Sequence, residues 1–358
     1  MTDSSDGEQR RWLLARRPAG RPVVDDFELE SAPIPEPGPG EVLLRTLYLS
    51  VDPYMRGRMR ERDSYAASWS LGEPMQAAAV GEVVTSNHPA FDDGDVAVGS
   101  LVWAEYAVAN GDDLTPVDPS IAPVSTALGV LGMPGRTAYF GVTELARPRP
   151  GDTAVVSAAA GAVGSVAAQL CSMAGARVVG IAGSDRKVEF LTDECGIDAA
   201  IDRRQESVPD ALDEHCPDGI DVYFDNVGGE ITDAVFERLA VDARVAVCGQ
   251  IALYNEEVVP NGPRKLWTLI ENRASVEGFL VGDYAPRFEE ATNRLGALLA
   301  SGDLAYRETV TEGIERAPQA FIGLFEGENV GKQLVNVSDY EQDEGRGSVP
   351  SEWASFDA

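Results

Sequence analysis

The run Val155-Val156-Ser157-Ala158-Ala159-Ala160-Gly161-Ala162-Val163-Gly164-Ser165 constrains this chain more than any other stretch. Two β-branched residues before an unbroken series of small ones read as a buried strand passing through a tight turn into a helix. A dinucleotide-binding turn needs small residues at three places: for the turn, for backbone approach to a pyrophosphate, and for close helix–strand packing. Ala159, Gly161 and Gly164 fill those places, with alanine in the first. Val163, Val166, Ala167, Leu170 and Ala174 then share one helix face, which anchors the helix and lets its first N–H groups face a phosphate. On spacing alone the same residues serve as a small-residue packing turn, and the loops after the later strands must separate the two readings.

From Thr153 strands and helices alternate: Ala154 to Ser157 and the helix just described, Arg177 to Ile181 then Asp185 to Glu194, Ala199 to Ile201, Asp221 to Phe224 then Glu230 to Ala240, and Arg244 to Cys248. Such alternation predicts an α/β domain, a doubly wound parallel sheet covered on both faces. A helix from about Pro286 to Ser301 comes next, and Gln319 to Phe325 and Gln333 to Val337 close the pattern as a helix and a strand returning to the first domain. The preceding part is different. Trp12 to Leu14, Val42 to Val51, Ala77 to Val84 and Val96 to Val108 are β-rich and separated by Pro, Gly, Asp and Asn, which predicts a β domain. Met133-Pro134-Gly135 reads as a turn. The expected division is a β domain over 11–125, completed by about 310–338, and a nucleotide-binding domain over 126–309. Residues 1–10 and the acidic tail 339–358 are expected to be disordered.

In a doubly wound sheet, ligands sit beyond the carboxyl ends of the strands. After the second strand, an acidic residue would hold a ribose 2′-OH; here the chain continues Ala182-Gly183-Ser184-Asp185-Arg186-Lys187. Small residues at Gly183 and Ser184 and then cations suit a 2′-phosphate, against the plainer reading of Lys187 as a solvated helix residue. Asn226, before Gly228-Gly229, offers a donor and an acceptor. Cys248-Gly249-Gln250 opens a long loop over the nicotinamide end, in which Tyr254 reads either as a core aromatic or as a donor to a substrate oxygen.

The 59 acidic and 29 basic residues leave a net charge of −30, which makes nucleic acid an improbable partner. Lysine is confined to Lys187, Lys265 and Lys332, and the acidity is spread along the chain, as on a salt-adapted protein. No run of apolar residues is long enough for a membrane span, and the opening residues carry no apolar leader segment. Four scattered cysteines show neither CxxC spacing nor a disulfide framework. Reduced thiols in a cytoplasm are expected. With two histidines, His88 and His215, and no cysteine in the first domain, a zinc site of the usual kind is not expected.

Tyr48 to Met59, Leu71 to Met75, Gly132 to Tyr139, Ser157 to Gly164, Tyr223 to Glu230 and Gly331-Lys332 together resemble the zinc-independent branch of the medium-chain dehydrogenase/reductases. Within it the chain is similar to the NADPH-dependent double-bond reductases, which include prostaglandin, alkenal and curcumin reductases. The resemblance implies a chaperonin-10-like β domain ahead of a Rossmann domain, a homodimer, and NADPH as cofactor. It maps cofactor contacts onto Gly161, Ala162 and Val163 at the pyrophosphate, Lys187 at the 2′-phosphate, Asn226, and Asn329 near the nicotinamide. Arg203 stands where many relatives have a tyrosine beside the adenosine phosphate. That keeps a cation there and removes a stacking contact.

The function expected from this is hydride transfer from NADPH to the β-carbon of an α,β-unsaturated ketone or aldehyde. The developing enolate needs a donor, for which Tyr254 is the first candidate and Tyr54, beside Met55 and Arg56, the second. A quinone reductase of the same superfamily and a catalytically idle NADPH-binding protein are the alternatives. The charge carries its own prediction. Stability and activity should rise toward molar KCl, where the Debye length falls to about 3 Å; equal melting temperatures in dilute buffer and molar KCl would contradict the salt-adapted reading.

Overall fold

The structure, a computed structural model, describes residues 7–338. The expectations for 1–6 and 339–358 lie outside the described residues. Residues 8–10 are a correction: they are strand, because Glu8, Gln9 and Arg10 pair with Pro33, Ala32 and Ser31. The chain forms two units. One runs up to Leu128 and takes up Thr309–Glu328 and the segment from Gln333; the other comprises Gly129–Glu308 and Asn329–Lys332.

The first unit contains β1 (Glu8–Leu14), β2 (Phe27–Pro33), β3 (Glu41–Ser50), the short α1 (Met55–Arg58), β4 (Gln76–Ser86), β5 (Val96–Val102), β6 (Tyr106–Asn110) and β7 (Thr115–Pro116). The single strand expected over Val96 to Val108 is therefore two, with buried Trp103 and Ala104 between them. β1 and β2 pair antiparallel, and their apolar ends enter an aromatic core in which the Phe27 and Trp103 rings stack at 6.5 Å. Phe321 meets both edge-on, at 6.3 and 6.4 Å. Each such pair adds about 0.5–1.5 kcal/mol beyond its buried area. The Trp12 indole donates to the Ile314 carbonyl at 2.7 Å.

The second unit opens with α2 (Met133–Phe140), so the turn expected at Met133-Pro134-Gly135 is instead a helix start. Proline is tolerated there because the first N–H groups of a helix have no intrahelical partner. Then come β8 (Thr153–Ser157), α3 (Gly164–Met173), β9 (Arg177–Ala182), α4 (Asp185–Glu189), β10 (Ala199–Asp202), α5 (Val208–His215), β11 (Ile220–Asp225), α6 (Gly229–Phe236), β12 (Leu239–Val247), α7 (Leu266–Asn272), β13 (Ser275–Gly278) and α8 (Phe288–Ser301). The helix expected to reach Ala240 stops at Phe236, since Leu239 and Ala240 already belong to β12.

The six strands lie in the order β10-β9-β8-β11-β12-β13, and every pair with a given register is parallel. This is the doubly wound Rossmann arrangement, with its switch point between β8 and β11. Val155, Val156, Val179, Tyr223 and Phe224 are fully buried, as strands covered on both faces require. The last elements are β14 (Glu308–Glu312), α9 (Ala317–Leu324) and β15 (Lys332–Asn336). β15 pairs antiparallel with β3, which completes the first unit's sheet in the order β14-β15-β3-β4-β5-β7, with β6 also on β3. Among the described residues no helix is long and apolar enough to cross a membrane.

Candidate functional site

The carboxyl ends of β8, β9, β11 and β12 carry most of the residues singled out by the sequence. After β8, Ala158 takes φ +47°, a left-handed conformation that costs a residue with a Cβ about 1–2 kcal/mol. Ala159 is fully buried and its N–H is given to the Ile181 carbonyl at 3.0 Å. It therefore shapes the turn from within and has no N–H to offer a ligand. The Gly161 N–H likewise goes to the Ala158 carbonyl at 3.0 Å. Ala162 and Val163 differ: they are partly exposed, precede α3, and their N–H groups take no acceptor among the described residues. Gly164 is fixed by space, because a Cβ there would lie 2.3 Å from the Ala158 oxygen.

Asn329 sits beside this turn through Gly331. The Asn329 Nδ2 donates to the Gly331 carbonyl at 2.8 Å, and the Gly331 N–H donates to the Ala160 carbonyl at 2.8 Å. Only glycine suits position 331, where φ is +69° and a Cβ would lie 1.8 Å from the Arg307 oxygen.

At the end of β9, Ser184 precedes α4 without capping it by its side chain. Lys187 lies within that helix, partly buried, with no carboxylate paired to it among the described residues. Burial, and then the charges of Arg204, Arg203 and Arg186, push its ammonium down to about 8. The Arg203 guanidinium lies over Gly183, with Nε 3.3 Å from the position a Cβ would take there. Four cations thus gather beyond β9 and β10, an arrangement that an anion would relieve. Lys187, with Arg186 before it, and Arg203 were legible in the sequence; Arg204 was missed, although the doublet Arg203-Arg204 directly after a strand was the available signal.

Asn226 is tied across the switch point. Its N–H donates to Ser157 Oγ and its Nδ2 to the Ser157 carbonyl, both at 2.8 Å, which commits the amide and turns Oδ1 into the group on offer. The Cys248 and Gly249 N–H groups donate to the Asp225 carbonyl at 2.8 and 3.0 Å. Burial, with the Asp225 charge, pushes the Cys248 thiol up to about 12, so it stays protonated. The loop then folds back through the turn Ile251–Leu253. Tyr254 Oη accepts the Gln250 N–H at 3.3 Å, and accepting an N–H polarises the O–H and strengthens it as a donor. Next to it, Asn255 Oδ1 is buried with no hydrogen-bond partner among the described residues.

Tyr54, in the first unit, immediately precedes α1 and packs against that unit's core. Burial, and then the Asp52 charge, push its phenol up to about 12, offset in part by Arg58. Arg56 is buried too, its guanidinium donating to the Pro18 and Gly20 carbonyls.

A family model described as the N-terminal domain of oxidoreductase matches residues 10–117, and one described as zinc-binding dehydrogenase matches residues 162–297. Among the described residues no three His, Cys, Asp or Glu side chains gather as a metal ion would require. The NADPH-dependent curcumin reductase of Escherichia coli is 42% identical over 334 residues, spanning 92% of this chain and 97% of that protein. The NADP(+)-dependent 2-alkenal reductase of Nicotiana tabacum is 41% identical over 336 residues, spanning 92% of this chain and 97% of that protein. CurA from Vibrio vulnificus, solved in complex with NADPH, matches with a TM-score of 0.88 at 42% identity, over 92% of this chain and all of that one.

Proposed function

Since the chain belongs to the zinc-independent medium-chain dehydrogenase/reductases, we propose that it is an NADPH-dependent reductase of the carbon–carbon double bond of α,β-unsaturated ketones and aldehydes. The observation that carries this reading is one Rossmann unit holding a small-residue turn with two unused N–H groups, a cluster of cations one strand over, and a phenol beyond β12. The full-length likeness to curcumin and alkenal reductases supports the substrate class.

The cofactor, when bound, supplies a hydride to the β-carbon. The chain's own groups do the rest. The Ala162 and Val163 N–H groups, at the positive end of α3, hold the pyrophosphate, with Gly161 and Gly164 leaving room for it. Lys187, Arg203 and Arg204 hold the 2′-phosphate beside Ser184. Asn226 and Asn329, with the Cys248–Gly249 turn, would hold the nicotinamide half. As negative charge develops on the substrate's carbonyl oxygen, the Tyr254 O–H strengthens its hydrogen bond to it, and Tyr54 is the second donor available.

The chain works as a homodimer joined through β13. This strand is the sheet's edge and is exposed along its whole length, and nearby α7 exposes Leu266, Trp267 and Ile270 by 72%, 64% and 65%. An unpaired edge with an apolar neighbour is a template for a second copy.

Three measurements test these assignments. Because Lys187 is charged only below about pH 8, NADPH affinity should fall as pH rises through 8 to 9, while NADH affinity stays level. Lys187→Ala should weaken NADPH by roughly tenfold to a hundredfold and flatten its pH profile, as loss of a charge-assisted contact of about 1.5–3 kcal/mol requires. Equal losses for both cofactors would show that Lys187 does not read the phosphate.

Turnover of enone and quinone panels, followed at the NADPH absorbance, tests the reaction; a protein that reduces only quinones, or nothing, is not a double-bond reductase. In the active protein Tyr254→Phe should lower kcat by about a hundredfold or more at unchanged NADPH affinity. An unchanged kcat would pass the donor role to Tyr54.

Sedimentation equilibrium should give twice the 38.2 kDa chain mass, and Trp267→Glu should give the monomer. A monomeric wild-type protein would refute the β13 interface.

A further inference from the structure

Asp225 is fully buried at the end of β11, at the switch point of the sheet, and none of the roles proposed for the site uses its side chain. Its carboxylate is surrounded by donors. Oδ1 accepts from Tyr223 Oη at 2.8 Å, from the Val227 and Gly228 N–H groups at 2.9 Å each, and from Ser157 Oγ at 3.1 Å. Oδ2 accepts from Thr232 Oγ1 at 2.7 Å. Two backbone N–H groups and three hydroxyls thus converge on the two oxygens of this one side chain, the surroundings a carboxylate requires. No lysine or arginine among the described residues pairs with it. Hydrogen bonds of this kind stabilise a buried charge without cancelling it, and its field extends further than it would in water.

The charge lies beneath three strand ends. Ser157 Oγ, which donates to it, accepts the Asn226 N–H, and the Asp225 carbonyl takes the Cys248 and Gly249 N–H groups. Hydride departure breaks a C–H bond, sends both electrons with the hydrogen to the acceptor carbon, and leaves the nicotinamide ring with one added positive charge. Resting on the cofactor placement proposed for this site, we infer that Asp225 is a positioning residue whose uncompensated charge favours the oxidised over the reduced cofactor, and so favours hydride departure, while its bonds hold the three strand ends in register.

The dissociation constants of NADP+ and NADPH, measured by calorimetry at fixed pH and salt, test this, because the two share every group except the nicotinamide charge. Asp225→Asn should raise the ratio Kd(NADP+)/Kd(NADPH) by roughly tenfold, the order expected for removing a unit charge at an effective dielectric of about 20. Thr232→Val keeps the charge and removes one of its donors, so it should move the ratio the other way. A ratio unchanged in Asp225→Asn, with both constants weakened alike, would leave Asp225 a structural brace and overturn the inference. Should Asp225→Asn fail to fold, Thr232→Val and Tyr223→Phe decide: a lowered ratio supports the inference and an unchanged or raised one overturns it. A wild-type protein that binds neither nucleotide would instead sink the proposed function.

Discussion

Where the strand order of a parallel sheet reverses, the connections on either side lead away from each other, and the backbone groups between them must find partners inside the unit. Here that requirement falls on β8, β11 and β12, and one carboxylate meets it. Asp225 ties Ser157, the Val227–Gly228 turn and the first turns of α6 together through its side chain, and the Cys248–Gly249 turn through its carbonyl. A buried donor left without a partner costs about 1–3 kcal/mol, so the several donors held here bind the strand ends more tightly than packing alone would. Asn226 inherits its orientation from this arrangement: its amide is committed to Ser157, and Ser157 is committed to Asp225.

A second constraint comes from charge. In a chain with a net charge of −30, several arginines have carboxylates within reach, as with Arg238 and Asp213, Arg244 and Asp152, or Arg307 and Glu194. Around Lys187 the near charges are of its own sign: burial first, and then Arg204, Arg203 and Arg186, lower the titration of the lysine. The repulsion is tolerable because the group is small and partly solvated, and it is the sort of local strain that a dianionic ligand converts into affinity.

The alternating α/β pattern, the turn after β8 and the cations after β9 were legible because each obeys a local rule: β-branched strands, small residues where backbones approach, and the sign of charge a phosphate needs. Other parts were not. α7 and β13 carry exposed apolar residues on no core-facing period, so Leu266, Trp267, Ile270 and Val276 formed no recognisable stripe. β2 escaped because only Phe27 and Ala32 of its seven residues are buried. Asp225 was passed over because an acidic residue after an apolar strand reads as the beginning of a loop, and its partners come from Ser157 and Thr232 on either side of it in sequence. The left-handed residue of the turn is Ala158, one place earlier than the small-residue spacing indicated. Each of these depends on contacts between distant segments, which composition and period do not record.

The four residues Asn329–Lys332 belong to the nucleotide-binding unit, although the chain on both sides of them belongs to the other. Their place there is secured by the Gly331 N–H on Ala160 and the Lys332 N–H on Arg307. A gene fragment ending after α8 would thus encode a Rossmann sheet whose phosphate turn lacks its last backbone partner. Because the chain crosses between the two units more than once, recombination at a single junction cannot exchange one of them whole.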